Sequence, residues 1–114
     1  MKKILIVDDE IRITQAFELV FQNDFKVRSA HEGDEALRLI QGEPPDILVL
    51  DWRLKGRVEG KDVLDFVKKK YPNILTFVVT ASIDFVKEIE SYHPTAYFLK
   101  PCPDLKDRIE KFIK

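Results

Sequence analysis

Asp46-Ile47-Leu48-Val49-Leu50-Asp51 sets four consecutive apolar residues between two acids. An unbroken apolar run this short, closed off by turn signals, suits a strand buried on both faces. Pro44-Pro45 marks the turn before it, and Arg53-Leu54-Lys55-Gly56-Arg57 marks the loop after it. Asp51 is thus the first polar residue beyond a central parallel strand, while Asp46 only bounds the other end. Ligands of open α/β sheets bind in the crevice outside the carboxyl ends of the strands. The run therefore puts a carboxylate where chemistry is expected.

Working outward, Ile4-Leu5-Ile6-Val7 repeats the pattern and ends in Asp8-Asp9-Glu10. Ile13, Ala16, Phe17, Val20 and Phe21 then recur at helical spacing, and Asn23-Asp24 breaks the helix. Asp9 and Glu10 suit the positive end of its dipole. Residues 25–29 alternate apolar and polar, the pattern of a strand at a sheet edge. A short helix follows over 34–41, with Ala36, Leu37 and Ile40 inward. Beyond Asp51, the spacing predicts a helix over 61–70 that buries Val63, Leu64 and Val67. Its closing Lys68-Lys69-Lys70 reads as a solvated last turn, where cations complement the dipole, rather than as a nucleic-acid patch. A strand over 74–79 ends at Thr80, and a short helix over 84–91 turns Val86 and Ile89 inward. A last strand over 95–99 ends at Lys100-Pro101. A closing helix from about Asp104 buries Leu105, Ile109 and Phe112. Strand and helix alternate five times, which implies right-handed crossovers and a parallel sheet. With the alternating second strand at an edge and the apolar first, third and fourth strands inside, the order is 2-1-3-4-5.

The chain has 114 residues, one domain over 1–114, with 45% hydrophobic and 34% charged residues. Its net charge of -1 gives no overall field to attract nucleic acid or an acidic membrane, so neither is expected as a direct partner. No apolar run approaches the roughly 18 residues of a membrane span. Met1-Lys2-Lys3 leads straight into a strand, without a signal-peptide core. The lone Cys102 has no internal disulfide partner and is expected to pack beside the last helix. A cytoplasmic protein is the expectation.

Four strand ends carry polar groups: Asp8-Asp9, Asp51, Thr80 and Lys100. In a parallel sheet these ends lie on one side. Three carboxylates gathered there repel one another and want a cation. Oxygen-only ligands suit a hard ion, and Mg²⁺ is typically held by one or two carboxylates plus water and phosphate oxygens. His31 and His93 have no metal-like partner and read as surface-loop residues. A lysine offers a point charge to a phosphoryl group, and a threonine hydroxyl can donate to another of its oxygens. A free carboxylate can act as the nucleophile and form an acyl phosphate, the remaining groups stabilising the charge in transfer.

These residues resemble the response-regulator receiver domain of two-component signalling, of the chemotaxis-regulator kind. The resemblance rests on Val7-Asp8-Asp9, Leu50-Asp51, Val79-Thr80-Ala81 and Lys100-Pro101, in register with five βα units along essentially the whole chain. It implies a flavodoxin-like (βα)5 three-layer sandwich. It also implies that Asp51 would accept phosphate from a phosphohistidine of a sensor histidine kinase or phosphotransfer protein. Asp9, Asp51 and the backbone carbonyl of Arg53 would bind Mg²⁺ directly, and Asp8 would act on it largely through water. Lys100 would pair with the phosphoryl group, aimed by a cis Lys100-Pro101 bond. Thr80 would move to hydrogen-bond that group, and Tyr97 would turn inward as it moves. The surface of the fourth helix, fifth strand and fifth helix would then engage an output domain, a partner protein or a second copy in a homodimer. Such a domain is a switch rather than an enzyme. It catalyses only its own phosphoryl transfer and dephosphorylation.

The sequence departs from the family after Asp51. Receivers commonly place proline four residues beyond the aspartate and glycine eight beyond; here Lys55 takes the first place and the glycine, Gly60, comes nine beyond. Gly56 is expected to supply a turn. Arg53 and Arg57 add positive charge, and Arg53 is expected to project toward the phosphoryl group and alter its lifetime. Trp52, adjacent to Asp51, is expected to report metal binding by its fluorescence. Pro94-Thr95-Ala96 replaces the usual Gly-Ala before the last strand, and Lys114 leaves room for an output domain beyond it.

Other functions fit less well. An aspartate-nucleophile phosphatase uses Asp-x-Asp, whereas this chain has Asp51-Trp52-Arg53 and no cap domain. A nucleotide or flavin carrier needs a phosphate cradle after the first strand, where Asp8-Asp9-Glu10 would repel one. The alternative that remains is a degenerate receiver, a phosphorylation-independent interaction module.

Overall fold

The computed structural model describes residues 1–113. Strands and helices alternate as β1 (Lys2–Val7), α1 (Ile11–Phe21), β2 (Phe25–Ala30), α2 (Gly33–Gly42), β3 (Ile47–Asp51), α3 (Gly60–Lys70), β4 (Leu75–Thr80), α4 (Val86–Ser91), β5 (Ala96–Leu99) and α5 (Leu105–Ile113). All strand pairs are parallel, in the order β2-β1-β3-β4-β5. This is the flavodoxin-like (βα)5 sandwich that the sequence predicts.

The strand pleat sorts the core into two layers. Ile4, Ile6, Ile47, Val49, Phe77, Val79 and Phe98 pack against Phe21 of α1 and against Leu105 and Ile109 of α5. Leu5, Val7, Leu48, Leu50 and Val78 point the other way, onto Ala36 and Ile40 of α2, Val63, Leu64 and Val67 of α3, and Ile89 of α4. All of β3 is buried, as its unbroken apolar run predicts. Cys102 packs against the α1/α5 layer. Among the described residues, no helix is long and apolar enough to cross a membrane.

Several details differ from the periodicity. On α1, Ala16 and Val20 face solvent, and Thr14 is buried in their stead. The Thr14 hydroxyl donates to the Ile11 carbonyl and lies 3.0 Å from His31 Nε2, so the buried polar atom is paired. Phe112 is 46% exposed, although its ring meets Phe77 edge-on at 5.3 Å. The fourth helical segment begins with a 3-10 turn over Ile83–Phe85, capped by the Ser82 side chain, before α4 proper. β5 starts one residue later than expected. Thr95 instead pairs through its side chain: its hydroxyl accepts from Thr76 N–H at 2.9 Å, and its own N–H donates to the Thr76 hydroxyl at 3.1 Å.

The long loop after β3 is anchored at several points. Leu54 is buried, and Gly56 adopts φ +99°, a turn conformation that glycine reaches without strain. Gly60 sits where a Cβ would come within 2.5 Å of the Trp52 carbonyl oxygen and 2.9 Å of that of Asp51. The start of α3 thus presses directly on the backbone at the end of β3. Gly60→Ala is expected to destabilise the fold by about 1–3 kcal/mol, an overpacking cost against rigid backbone. Gly42→Ala, where nothing lies within 4 Å of the added methyl, is expected to be neutral or slightly stabilising. Urea unfolding of the two variants beside the parent chain measures both.

Candidate functional site

The carboxyl ends of β1, β3, β4 and β5 bring the expected residues together. A cleft of about 460 Å³ is lined by Asp9, Glu10, Asp51, Arg53, Lys55, Thr80, Ser82, Phe85 and Lys100. Asp8 stands behind it, buried. A somewhat larger hollow lies at the opposite end of the sheet, beside Lys2, Tyr71 and Phe112. It offers one carboxylate, Asp46, whose Oδ2 already accepts the Lys3 N–H at 2.7 Å. The chemistry belongs to the first cleft.

Lys100 holds the acids together. Its Nζ lies 3.0 Å from Asp8 Oδ2 and 3.3 Å from Asp51 Oδ1. The Lys100-Pro101 bond is cis, as expected. Asp8 Oδ1 accepts the Glu10 N–H at 2.9 Å, so both Asp8 oxygens are engaged. Asp9 Oδ2 accepts the Lys55 N–H at 3.2 Å. Carboxylate oxygens of Asp8, Asp9 and Glu10 lie within 4.8 Å of one another.

This crowding shows in the acid–base properties. Burial, and then the charge of Asp8, push the Asp51 carboxyl from its ordinary 3.8 up to about 6, against the pull of Lys100. Burial works against the Lys100 ammonium, but its hydrogen bond to Asp8 and the charges of Asp51 and Asp8 outweigh it, and the Lys100 pKa is raised. The donor set is oxygen-only, rich in charge and short of compensation, which fits a hard divalent cation such as Mg²⁺.

Thr80 is buried on the α4 side of the sheet. Its hydroxyl makes only long contacts with Ser82, 3.3 Å from the N–H and 3.4 Å to the carbonyl. Tyr97 does not line the cleft; it packs in the α4 layer beneath it. In the β4–β5 register Val78 pairs with Tyr97 and Thr80 with Leu99. Tyr97 is therefore one strand across and two residues back from Thr80, on the same face. The Arg53 guanidinium lies over the Phe85 ring, 5.2 Å from its centroid, at the wall of the cleft.

Trp52 turns away from Asp51, as the pleat requires. Its indole N–H donates to Glu88 on α4 at 2.7 Å, and its ring meets Tyr92 edge-on at 5.7 Å. It sits against α4. Sequence reasoning missed Phe85, Ser82 and the Lys55 amide. The missing proline at position 55 was the available signal for the last of these, because only a non-proline residue can donate there.

Stability should carry the mark of Asp51. Because its carboxyl is raised in the folded state, its stabilising effect is complete below pH 3.8 and is lost as the pH climbs through about 6. A carboxyl moved from 3.8 to about 6 corresponds to at most about 3 kcal/mol. In urea unfolding without divalent cations, Asp51→Asn is expected to gain up to about that much on the parent chain between about pH 4 and about pH 7.

Comparisons with known proteins agree with this fold. The family model described as the response regulator receiver domain matches residues 4–113. Sporulation initiation phosphotransferase F of Bacillus subtilis is 29% identical, with 98% of this chain and 94% of that protein covered. The hydrogenase transcriptional regulatory protein HoxA of Cupriavidus necator is 30% identical over 97% of this chain, which spans only 24% of that regulator. Among solved structures, a CheY-like receiver domain protein from Methanospirillum hungatei superposes with a TM-score of 0.91 at 26% identity, covering 99% of this chain and 94% of that one. The response regulator TrrA from Thermotoga maritima, solved in complex with Mg²⁺ and BeF, gives a TM-score of 0.88 at 27% identity over 97% of this chain and 98% of that one.

Proposed function

The chain belongs to the response-regulator receiver domain family of two-component systems, and from that premise we propose that it is a signalling switch worked by phosphorylation of Asp51. The observation that carries this reading is the Asp51 carboxylate in an open cleft, 3.3 Å from the Lys100 ammonium and beside Asp9.

An Asp51 oxygen attacks the phosphorus of a phosphohistidine on a sensor kinase or phosphotransfer protein. The P–N bond breaks as the P–O bond forms, and the imidazole leaves with its electron pair. Asp9, Asp51 and the Arg53 carbonyl are the groups that would hold Mg²⁺. Asp8, with both oxygens engaged, would reach it through water. When bound, that ion neutralises the crowded acids and the charge developing on the phosphoryl oxygens. Lys100 supplies the fixed positive charge on the other side. The Mg²⁺ held by the Thermotoga maritima relative supports this cation.

The acyl phosphate then draws the Thr80 hydroxyl toward it. The long Ser82 contacts are little to give up, and the vacated space lies on the face that Tyr97 shares. The surface of α4, β5 and α5 repacks in response and engages an output domain, a partner protein or a second copy. Exposed Ile83 and Leu99 lie on or beside it. A shift from 1:99 to 99:1 needs roughly 5.5 kcal/mol of difference between the two states.

Incubation with Mg²⁺ and acetyl phosphate is expected to add one phosphoryl mass to the intact chain, and Asp51→Asn to abolish the gain. No gain in the parent chain, where a control receiver labels, would instead mark an interaction module that works without phosphate. Arg53→Ala is expected to change the phosphoryl lifetime, read as loss of that mass after the donor is removed. Equal lifetimes would assign Arg53 to its stacking on Phe85 alone.

A further inference from the structure

The loop between β3 and α3 carries a hydrogen bond to one of the groups just assigned to the cation. The Lys55 backbone N–H donates to Asp9 Oδ2 at 3.2 Å, joining residues 46 apart in sequence. Asp9 is only partly buried, so without that bond its carboxylate is free to rotate, and freezing it on a cation costs entropy. With Oδ2 held by the amide, the other oxygen remains for a ligand. Arg53 stands two residues before Lys55 and lines the same cleft. One short segment thus contributes Arg53 to the cleft wall and an amide to Asp9.

The amide is itself held by the fold. Leu54 is buried immediately before it, and Gly56 turns the chain immediately after it. Val58 lies against the start of α2, where a Cβ on Gly33 would come within 2.4 Å of the Val58 carbonyl oxygen. Gly60 closes the loop against the Asp51 and Trp52 carbonyls. The tether to Asp9 is therefore built in advance of any ligand.

We propose that the Lys55 backbone N–H is a positioning group of the cation site, fixing the Asp9 carboxylate and tying the Arg53 segment to it. Hydrogen-bonded partners of ligating carboxylates are known to orient them and tune their affinity. The proposal rests on Asp9 being a Mg²⁺ ligand. Loop and cation are then coupled, and the coupling is reciprocal: what the tether does for Mg²⁺, Mg²⁺ must do for the tether.

The test is an NMR titration of the intact chain with MgCl₂ alone, free of any phosphoryl donor. Wild type is expected to bind and Asp9→Asn to lose binding; if Asp9→Asn binds as wild type does, the reading of Asp9 fails and the proposal fails with it. Lys55→Pro, which lacks the N–H, is expected to weaken Mg²⁺ by about tenfold. Lys55→Ala loses the same cleft-lining charge but keeps the N–H, so it is the reference against which the roughly tenfold loss in Lys55→Pro is read. Equal affinities for Lys55→Pro and Lys55→Ala, or tighter binding by the proline variant, would overturn the proposal. Because proline also restricts the loop, a second measurement uses the wild-type chain: saturating Mg²⁺ is expected to slow hydrogen exchange of the Lys55 amide. Exchange that is unchanged or faster overturns the proposal even if Asp9 binds the ion.

Discussion

Asp8, Asp9 and Asp51 are crowded at one end of the sheet, where Lys100 bridges two of them, and the remainder of the site answers to that fact. Parallel strands deliver their carboxyl ends to one side, so acids after β1 and β3 converge whatever the helices do. Lys100, arriving from β5, bridges Asp8 and Asp51 and compensates part of the charge. Burial, and then the charge of Asp8, still push the Asp51 carboxyl up to about 6 against that pull. A carboxylate crowded in this way favours a positive ligand.

The apolar layers explain why such a site is affordable. Fully buried strands meet two helix layers, and residues of alternating parity in β1, β3 and β4 serve different layers. That alternation continues past the strand ends. Asp51 stays at the cleft while Trp52, one residue on, reaches Glu88 and Tyr92 on α4. Thr80 and Tyr97 share the α4 side through the register of β4 and β5. The cleft and the α4 surface are thus connected along two strands, through Trp52 from β3 and through Thr80 from β4.

Most of this was legible in the sequence because it depends on unbroken apolar runs and on what immediately follows them. The strand order, the converging acids and Lys100 all come from that rule. Other features were not legible, since they turn on contacts between distant segments. Helical spacing nominated Phe21, which is buried, but also Val20 and Ala16, which face solvent while Thr14 is buried, satisfied by Ile11 and His31. Spacing likewise nominated Phe112, which is left half outside at the last turn of α5. Trp52 neighbours Asp51 in sequence, and its contacts with Glu88 and Tyr92 on the α4 side could not be read from that adjacency. The loop was recognisable as unusual from its length and from Lys55. Its anchoring through Gly33 and Gly60 needed α2 and α3 in place.

The way β5 begins has a consequence for how two copies can meet. Thr76 and Thr95 exchange side-chain hydrogen bonds where a longer strand would carry on its ladder, which leaves β5 with four residues. The other border strand, β2, exposes Lys26 and half-buries Arg28, whose guanidinium is spent on the Glu43 carbonyl. A short border on one side and a basic one on the other are poor templates for adding a foreign strand. Fibre-like growth by sheet extension is thereby discouraged.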